Sequence, residues 1–296
     1  MSDRTSLILL AALGAAGALV ALGHVERNVS LDSVGEIWAD TLRDIDQASL
    51  RAVRITAAEE MRLGAMLARQ FSSGYREDPV DTAYVSAVGT SLARHARRQD
   101  MRYSFHVIED TQINAFAFPG GHIYVTRGMM DFLRTEAELA SVLGHEISHV
   151  DLRHSVSRVK YRLLLERVDA GGIGEAVDAV RTLTRMAYDQ AQESEADAHG
   201  TVIAARDGYE PAAAEAVHRR LAAPGAGAPR TPVGEIGRAT GGLLSSYFES
   251  HPPSAQRADR LGKLAGSWKG KRLYYRGASN YANRSVVRRA EEWIRY

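Results

Sequence analysis

Not one of the 296 residues is a cysteine. That absence excludes disulfides, cysteine-ligated zinc, a thiol nucleophile and a lipid-modified cysteine anchor. Any metal in this chain is therefore held by His, Asp or Glu. An excess of one charge is also missing. The net charge is +1, so nothing global points to nucleic acid, and no nucleic-acid partner is expected. After Gly23 no segment is long and uncharged enough to be a membrane span, and no internal repeat is visible. What remains is 45% hydrophobic and 25% charged, a globular composition with length for one large domain or two small ones.

Residues 6–23 form an uninterrupted Ala/Leu/Gly-rich stretch preceded by Arg4. As a helix it would span roughly 27 Å, borderline for a bilayer. Ala21-Leu22-Gly23 also resembles a small-residue signal-peptidase site. The stretch is read as a cleaved signal peptide or a single N-terminal anchor. Either exports the residues after about His24, to the periplasm or the outer face of the inner membrane.

The run His145-Glu146-Ile147-Ser148-His149 is the chief feature that is present. On a helix, residues four apart share a face, so both imidazoles can meet one metal ion. Glu146 then stands where a carboxylate can reach a metal-activated water as general base. The surroundings support a helix: Thr135 and Glu138 fit a capping box, and Leu139, Val142, Leu143, Ile147 and Val150 continue helical spacing through the motif. The helix is predicted to run on past Leu163 until Gly171-Gly172. Helical periodicity also covers 31–73, 80–98 and 176–207. Alternation around Tyr103, Phe105 and Val107 predicts a strand. Residues 114–118 and 122–126 predict two more about the turn Pro119-Gly120-Gly121. Residues 222–242, rich in Ala, Gly and Pro, read as a loop.

An open catalytic zinc site takes three protein ligands. A third His six residues after His149 is excluded, because Ser155 stands there and Leu152 replaces the midway Gly. On a continuing helix His154 would point about 140° from His149, as a surface or packing residue. The remaining candidate is the run from Gln192 to Gly200. Glu193 and Asp197 share a face, so one can bind metal while the other accepts a hydrogen bond from a ligand imidazole. Glu195 lies on the opposite face, towards solvent.

Four blocks now resemble a known family in order: NAFAFPGG from Asn114, EAELASVLGHEISH from Glu136, ESEAD from Glu193, and His251-Pro252-Pro253 with Arg257. The chain resembles the zinc metallopeptidases (gluzincins) that include the CAAX prenyl protease, HtpX, and the Oma-type and BepA/LoiP-type proteases. The similarity runs from about Ile55 to Leu264. It implies an α+β, mainly helical fold, with the HExxH helix packed against a small mixed sheet that carries a substrate-binding edge strand. It implies one zinc ion per chain, held by His145, His149 and Glu193, with Glu146 as base and Asp197 supporting a ligand. His251 would sit near the metal as a gate or oxyanion stabiliser, and Arg257 near the substrate groove. Asn114, Ala115, Phe116 and Ala117 would form the edge strand that pairs with substrate.

Two departures stand out. HtpX and the CAAX protease are polytopic, whereas this chain has at most one span. Asp189-Gln190 also replaces a Ser-Arg pair often seen before the third-ligand motif.

The organisation expected is an export segment over 1–23, a metallopeptidase domain over 24–265, and an extension over 266–296 packed on or appended to it. That extension has eight Lys/Arg against two Glu, interspersed with aromatic residues. It suits contact with anionic headgroups, or, the preferred reading, simple packing. The expected function is endopeptidase action on unfolded or misassembled envelope proteins, with membrane association through the N-terminal segment. The rival is a gated or inactive zinc-binding, chaperone-like module in which His251 closes the site.

Overall fold

The computed structural model of the chain describes residues 55–159, 187–222, 251 and 255–296. The apolar stretch over 6–23, the helical pattern before residue 55, Gly171-Gly172, the loop read beyond Ala222 and Pro252-Pro253 lie outside the described residues. The chain divides into two units, and the second, Ile55–Tyr296, holds the sheet and the helices around it. Among the described residues no helix is long and apolar enough to cross a membrane.

The second unit is α+β and mainly helical. Helix α1 (Ala57–Ser72) starts at a reciprocal capping box: the Thr56 hydroxyl accepts from Glu59 N at 3.2 Å, and Glu59 Oε2 accepts from Thr56 N at 2.8 Å. The helical pattern read over 31–73 therefore breaks at Thr56, whose ψ of 162° is extended. Helix α2 (Pro79–Ala93) is capped by Asp78 and has its proline in the first turn. It stops before the Arg98 expected from periodicity. The Asp151 carboxylate accepts from Arg97 N at 2.9 Å and Arg98 N at 2.7 Å, which stabilises a turn there instead of helix.

Strands β1 (Ser104–Ile108), β2 (Ala115–Phe118) and β3 (His122–Thr126) form one sheet in the order β1-β3-β2. β1 runs parallel and β2 antiparallel to β3, so the sheet is mixed and β2 lies at an edge. The period of two sorts the side chains. Phe105, Val107, Ala115, Ala117, Ile123 and Val125 join the main core, whereas Phe116, Phe118 and Tyr124 pack with Leu67, Ala68 and Phe71 of α1. Between β2 and β3 the chain turns at Gly120 and Gly121, with φ of 78° and 93°, left-handed values open to glycine at no steric cost.

After the short helix α3 (Arg127–Phe132), helix α4 (Glu136–Asp151) carries the HExxH run. Thr135 caps it, accepting from Glu138 N at 3.1 Å. The expected return bond is replaced. The Glu138 carboxylate accepts from Arg134 N at 2.7 Å and from the Arg220 guanidinium at 2.8 and 2.7 Å. The helix does not run on past Leu163 as predicted. It ends at Asp151 with Leu152 as its C-cap, and Arg153 takes a left-handed φ of 65° before residues 154–159 become helical again. Helix α5 (Gln190–Arg206) is shorter than the 176–207 pattern suggested, because Asp189 is extended, with ψ of 164°. Asp189 and Gln192 form its capping box, so the Asp-Gln pair that departs from the family pattern supplies a helix start of its own. Helix α6 (Ala213–Leu221) packs on α4 and on α7 (Ala255–Gly266), and α7 packs beside α5.

The chain ends with β4 (Leu273–Tyr275), α8 (Ala278–Asn283) and β5 (Trp293–Arg295), with β4 and β5 paired antiparallel. This segment grips the start of α4. Gly277 O and Arg276 O accept from Glu136 N at 3.1 Å and Ala137 N at 3.0 Å, two donors that no helix can satisfy internally. The buried Glu136 carboxylate accepts from Tyr84, Tyr209 and Asn280. Three of the basic side chains are paired: Arg276 with Glu210, Arg284 with Asp81 and Arg288 with Asp207.

Helices α4 and α5 cross at two glycines. A Cβ added to Gly144 would lie 2.7 Å from Gly200 O, and one added to Gly200 would lie 2.7 Å from His145 N. Backbone meets backbone, so there is no flexible side chain to yield. Gly200→Ala is expected to cost about 1–3 kcal/mol as an overpacking change, read as a lowered Tm in thermal unfolding. Gly266→Ala, whose Cβ meets nothing within 4 Å, should stay within about 0.5 kcal/mol. Equal Tm values for the two variants would contradict a steric crossing.

Candidate metal centre

The crossing brings His145 and His149 of α4 against Glu193 and Asp197 of α5, and His251 closes over them. Among the described residues, His145, His149, Glu193 and His251 form a buried group that could hold a metal, one ligand atom from each lying within 4.8 Å of the others. His145 Nε2 lies 3.0 Å from His149 Nε2 and 3.2 Å from His251 Nδ1. Glu193 lies 2.9 Å from His251 Nδ1, 3.6 Å from His149 Nε2 and 3.5 Å from His145 Nε2. A tetrahedral zinc ion with N and O ligands at about 2.0–2.1 Å needs ligand-to-ligand edges of about 3.3 Å. The donor set and its spacing fit that ion.

Protonation states suit ligation too. Burial lowers the pKa of His145, and lowers those of His149 and His251 well below the ordinary imidazole range. All three rings are then neutral, as metal ligands must be. His145 Nδ1 lies 3.1 Å from Asp197 Oδ1, which places its proton there and leaves Nε2 for the metal. Burial pushes the Asp197 carboxyl up, but hydrogen bonds from His145 and Arg257 outweigh it and hold the group far below the usual carboxylate range. Glu193 is raised, chiefly by burial.

Arg257 was expected near the substrate groove. The structure buries it behind the cluster, where Nε and Nη2 bind Asp197 at 2.9 and 2.7 Å and Nη1 lies 2.7 Å from Glu193. A guanidinium held by two carboxylates orients them, and this geometry points to support of the ligands rather than contact with substrate. Glu146 is fully buried, and neither of its carboxylate oxygens has a hydrogen-bond partner among the described residues. His251 Nε2 lies 3.4 Å from Glu146 Oε1. Burial first, and Glu193 next, raise the Glu146 pKa well above the ordinary value.

Four further side chains in the centre were not singled out by sequence, or were read differently. His154 is buried, the packing alternative of the two, and its Nδ1 lies 3.1 Å from His149 Nδ1. The turn at Arg153 swings it round, so the angle calculated for a continuing helix does not apply. Its Nε2 reaches Glu195 Oε2 at 3.3 Å, giving that exposed carboxylate a partner. Tyr188 stacks on His149 with centroids 3.7 Å apart and 12° between planes. Arg158 lies 4.4 Å over the Tyr188 ring. His218 Nε2 stands 3.8 Å from Asp197 Oδ1, and burial, then Arg257, pulls its pKa down to about 3. Only His154 had a sequence signal, its nearness to the motif. β2, with Ala115, Phe116 and Ala117, lies at the sheet edge as expected, and Asn114 O just before it accepts from Thr126 N at 3.0 Å.

Glu193→Gln should sharply lower the metal content of the purified chain, measured by elemental analysis; an unchanged stoichiometry would refute that ligand. His154→Ala should weaken zinc affinity about 10- to 100-fold, the usual cost of removing a partner that orients a ligand. Competition with a chromophoric chelator reads this, and unchanged affinity would contradict the His149–His154 contact.

The model of peptidase family M48 matches residues 79–265, most of the chain and all of the residues above. The beta-barrel assembly-enhancing protease of Escherichia coli (strain K12) is 30% identical over 194 residues, covering 59% of this chain and 39% of that protein. The metalloprotease LoiP of the same strain is 27% identical over 268 residues, 86% of this chain and 94% of its own length. The mitochondrial metalloendopeptidase OMA1 of Arabidopsis thaliana is 29% identical over 162 residues, 52% and 30% of the two chains. The matched part is thus about two-fifths of the barrel-assembly protease. With well over half of its length matched by the family model, the chain belongs to peptidase family M48.

Proposed function

We propose that the chain is a zinc-dependent endopeptidase that hydrolyses internal peptide bonds of unfolded or misassembled proteins outside the cytoplasm. The single observation that carries this reading is the buried His145–His149–Glu193 cluster with the carboxylate of Glu146 beside it, which accepts no hydrogen bond among the described residues. Zinc bound there would supply Lewis acidity to a water and to the scissile carbonyl. Glu146 then takes the proton of the attacking water and passes it to the departing amine nitrogen. Asp197 and Arg257 hold the ligands in place, and β2 offers its outer edge to an extended substrate, a mode with main-chain affinity and modest sequence selectivity. One relative is named for enhancing β-barrel assembly. We carry over from it a substrate class of misassembled envelope proteins, and the apolar stretch over 6–23 supports export or membrane association.

A second reading is favoured by one contact. His251 offers a fourth ligand atom to the same cluster, where it would compete with a water for the metal. In this reading the chain is a gated enzyme, or a zinc-binding, chaperone-like module of low activity.

Casein cleavage with matched metal analysis separates these ideas. Glu146→Gln should retain metal and lose cleavage by a factor of about 10² to 10⁴, the usual contribution of a general base. A chelator should abolish wild-type activity and added zinc restore it. If His251→Ala cleaves while wild type does not, the gated reading holds. If no variant cleaves an unfolded protein, the peptidase reading fails.

A further inference from the structure

The free side of β2 presents the main-chain groups of Ala115 and Ala117. In an antiparallel pair alternate residues turn their main chain to the partner. Thr126 N bonds to Asn114 O, so Asn114, Phe116 and Phe118 face β3 in the observed register, and Ala115 and Ala117 face away. The outward carbonyl of Ala117 is taken by the chain itself: Arg158 Nη2 donates to it at 3.1 Å in buried surroundings.

Arg158 reaches the edge because of the turn at Arg153. The left-handed residue redirects the chain, and in the helical stretch 154–159 His154 and Arg158, four apart, share a face. The first meets His149; the second meets Ala117 and the ring of Tyr188. Tyr188 in turn stacks on His149. One side chain thus links the substrate edge to the ring packed on a candidate metal ligand.

We propose that Arg158 is a latch on the substrate strand. Its guanidinium occupies the carbonyl that a substrate N–H would use, so a polypeptide pairs with β2 at Ala117 only after Arg158 withdraws. The inference rests on the peptidase reading for its ligand class, an extended polypeptide, and goes beyond it by placing control of strand access in the segment after the Arg153 turn. That control acts at Ala117 and is separate from His251 at the metal.

The test measures binding rather than turnover. Full-length, zinc-loaded chain carrying Glu146→Gln is titrated against fluorescein-labelled casein by fluorescence anisotropy, with and without Arg158→Ala. Removing the latch should tighten binding about tenfold, the size of one charged hydrogen bond. Arg158→Met keeps the apolar stem over Tyr188 and should give the same gain, so the test survives if the alanine variant does not fold. Arg158→Lys, with a donor but no planar fork, should fall between. Equal or weaker casein binding by Arg158→Met and Arg158→Ala would overturn the latch. Tighter binding by these variants, with no cleavage of casein by wild type or His251→Ala, would sink the peptidase reading and leave the latch standing. Cleavage with no gain in binding does the reverse.

Discussion

Gly144 and Gly200 let two helices touch backbone to backbone, and every feature of the centre depends on that contact. His145 follows Gly144 directly and His149 stands one turn further on, while Asp197 and Glu193 stand three and seven residues before Gly200. Any side chain at the crossing would separate the helices and open the distances of 2.9–3.6 Å between donor atoms. The frame around the crossing is correspondingly firm. The C-terminal segment satisfies the first donors of α4, Thr135 caps that helix, and Asp189 with Gln192 fixes the start of α5.

Within that frame, electrostatics decides what the cluster can bind. Burial alone would leave three neutral imidazoles and protonated carboxyls, a poor metal site. Arg257 changes this by lying between Glu193 and Asp197, so that a low-dielectric site tolerates anionic oxygen. Asp197, held far below its usual range, then fixes the tautomer of His145. Glu146 lacks such support: neither of its oxygens is hydrogen-bonded among the described residues, and burial raises its pKa. Two carboxylates near one centre are pushed in opposite directions by their surroundings, the usual sign of a division between support and proton transfer.

Local pattern made much of this legible. Helical spacing placed His145 and His149 on one face and brought Glu193 and Asp197 to another, the period of two located the first strand of the sheet, and the Pro119-Gly120-Gly121 turn marked the two strands about it. Tertiary contacts supplied what pattern could not. A straight helix turns His154 away from His149, whereas Arg153 adopts a left-handed φ that has no sequence signature in a non-glycine residue. Arg257 stood in a recognisable block, yet which side of the cluster it occupies depends on the packing of α7 against α5. Tyr188 and Arg158 stack with no spacing rule to announce them. The aromatic, basic C-terminal segment looked ambiguous, and its ion pairs and buried Tyr274 and Tyr275 depend on acids far away in sequence.

The central claim is that His145, His149 and Glu193 meet at one ion. Zinc K-edge X-ray absorption on the intact, zinc-loaded chain tests it directly. A fully light-atom shell at about 2.0–2.1 Å, with imidazole multiple scattering that loses one ring in His149→Ala, is the predicted result. An imidazole signature unchanged by His149→Ala, or no bound zinc at all, would contradict it.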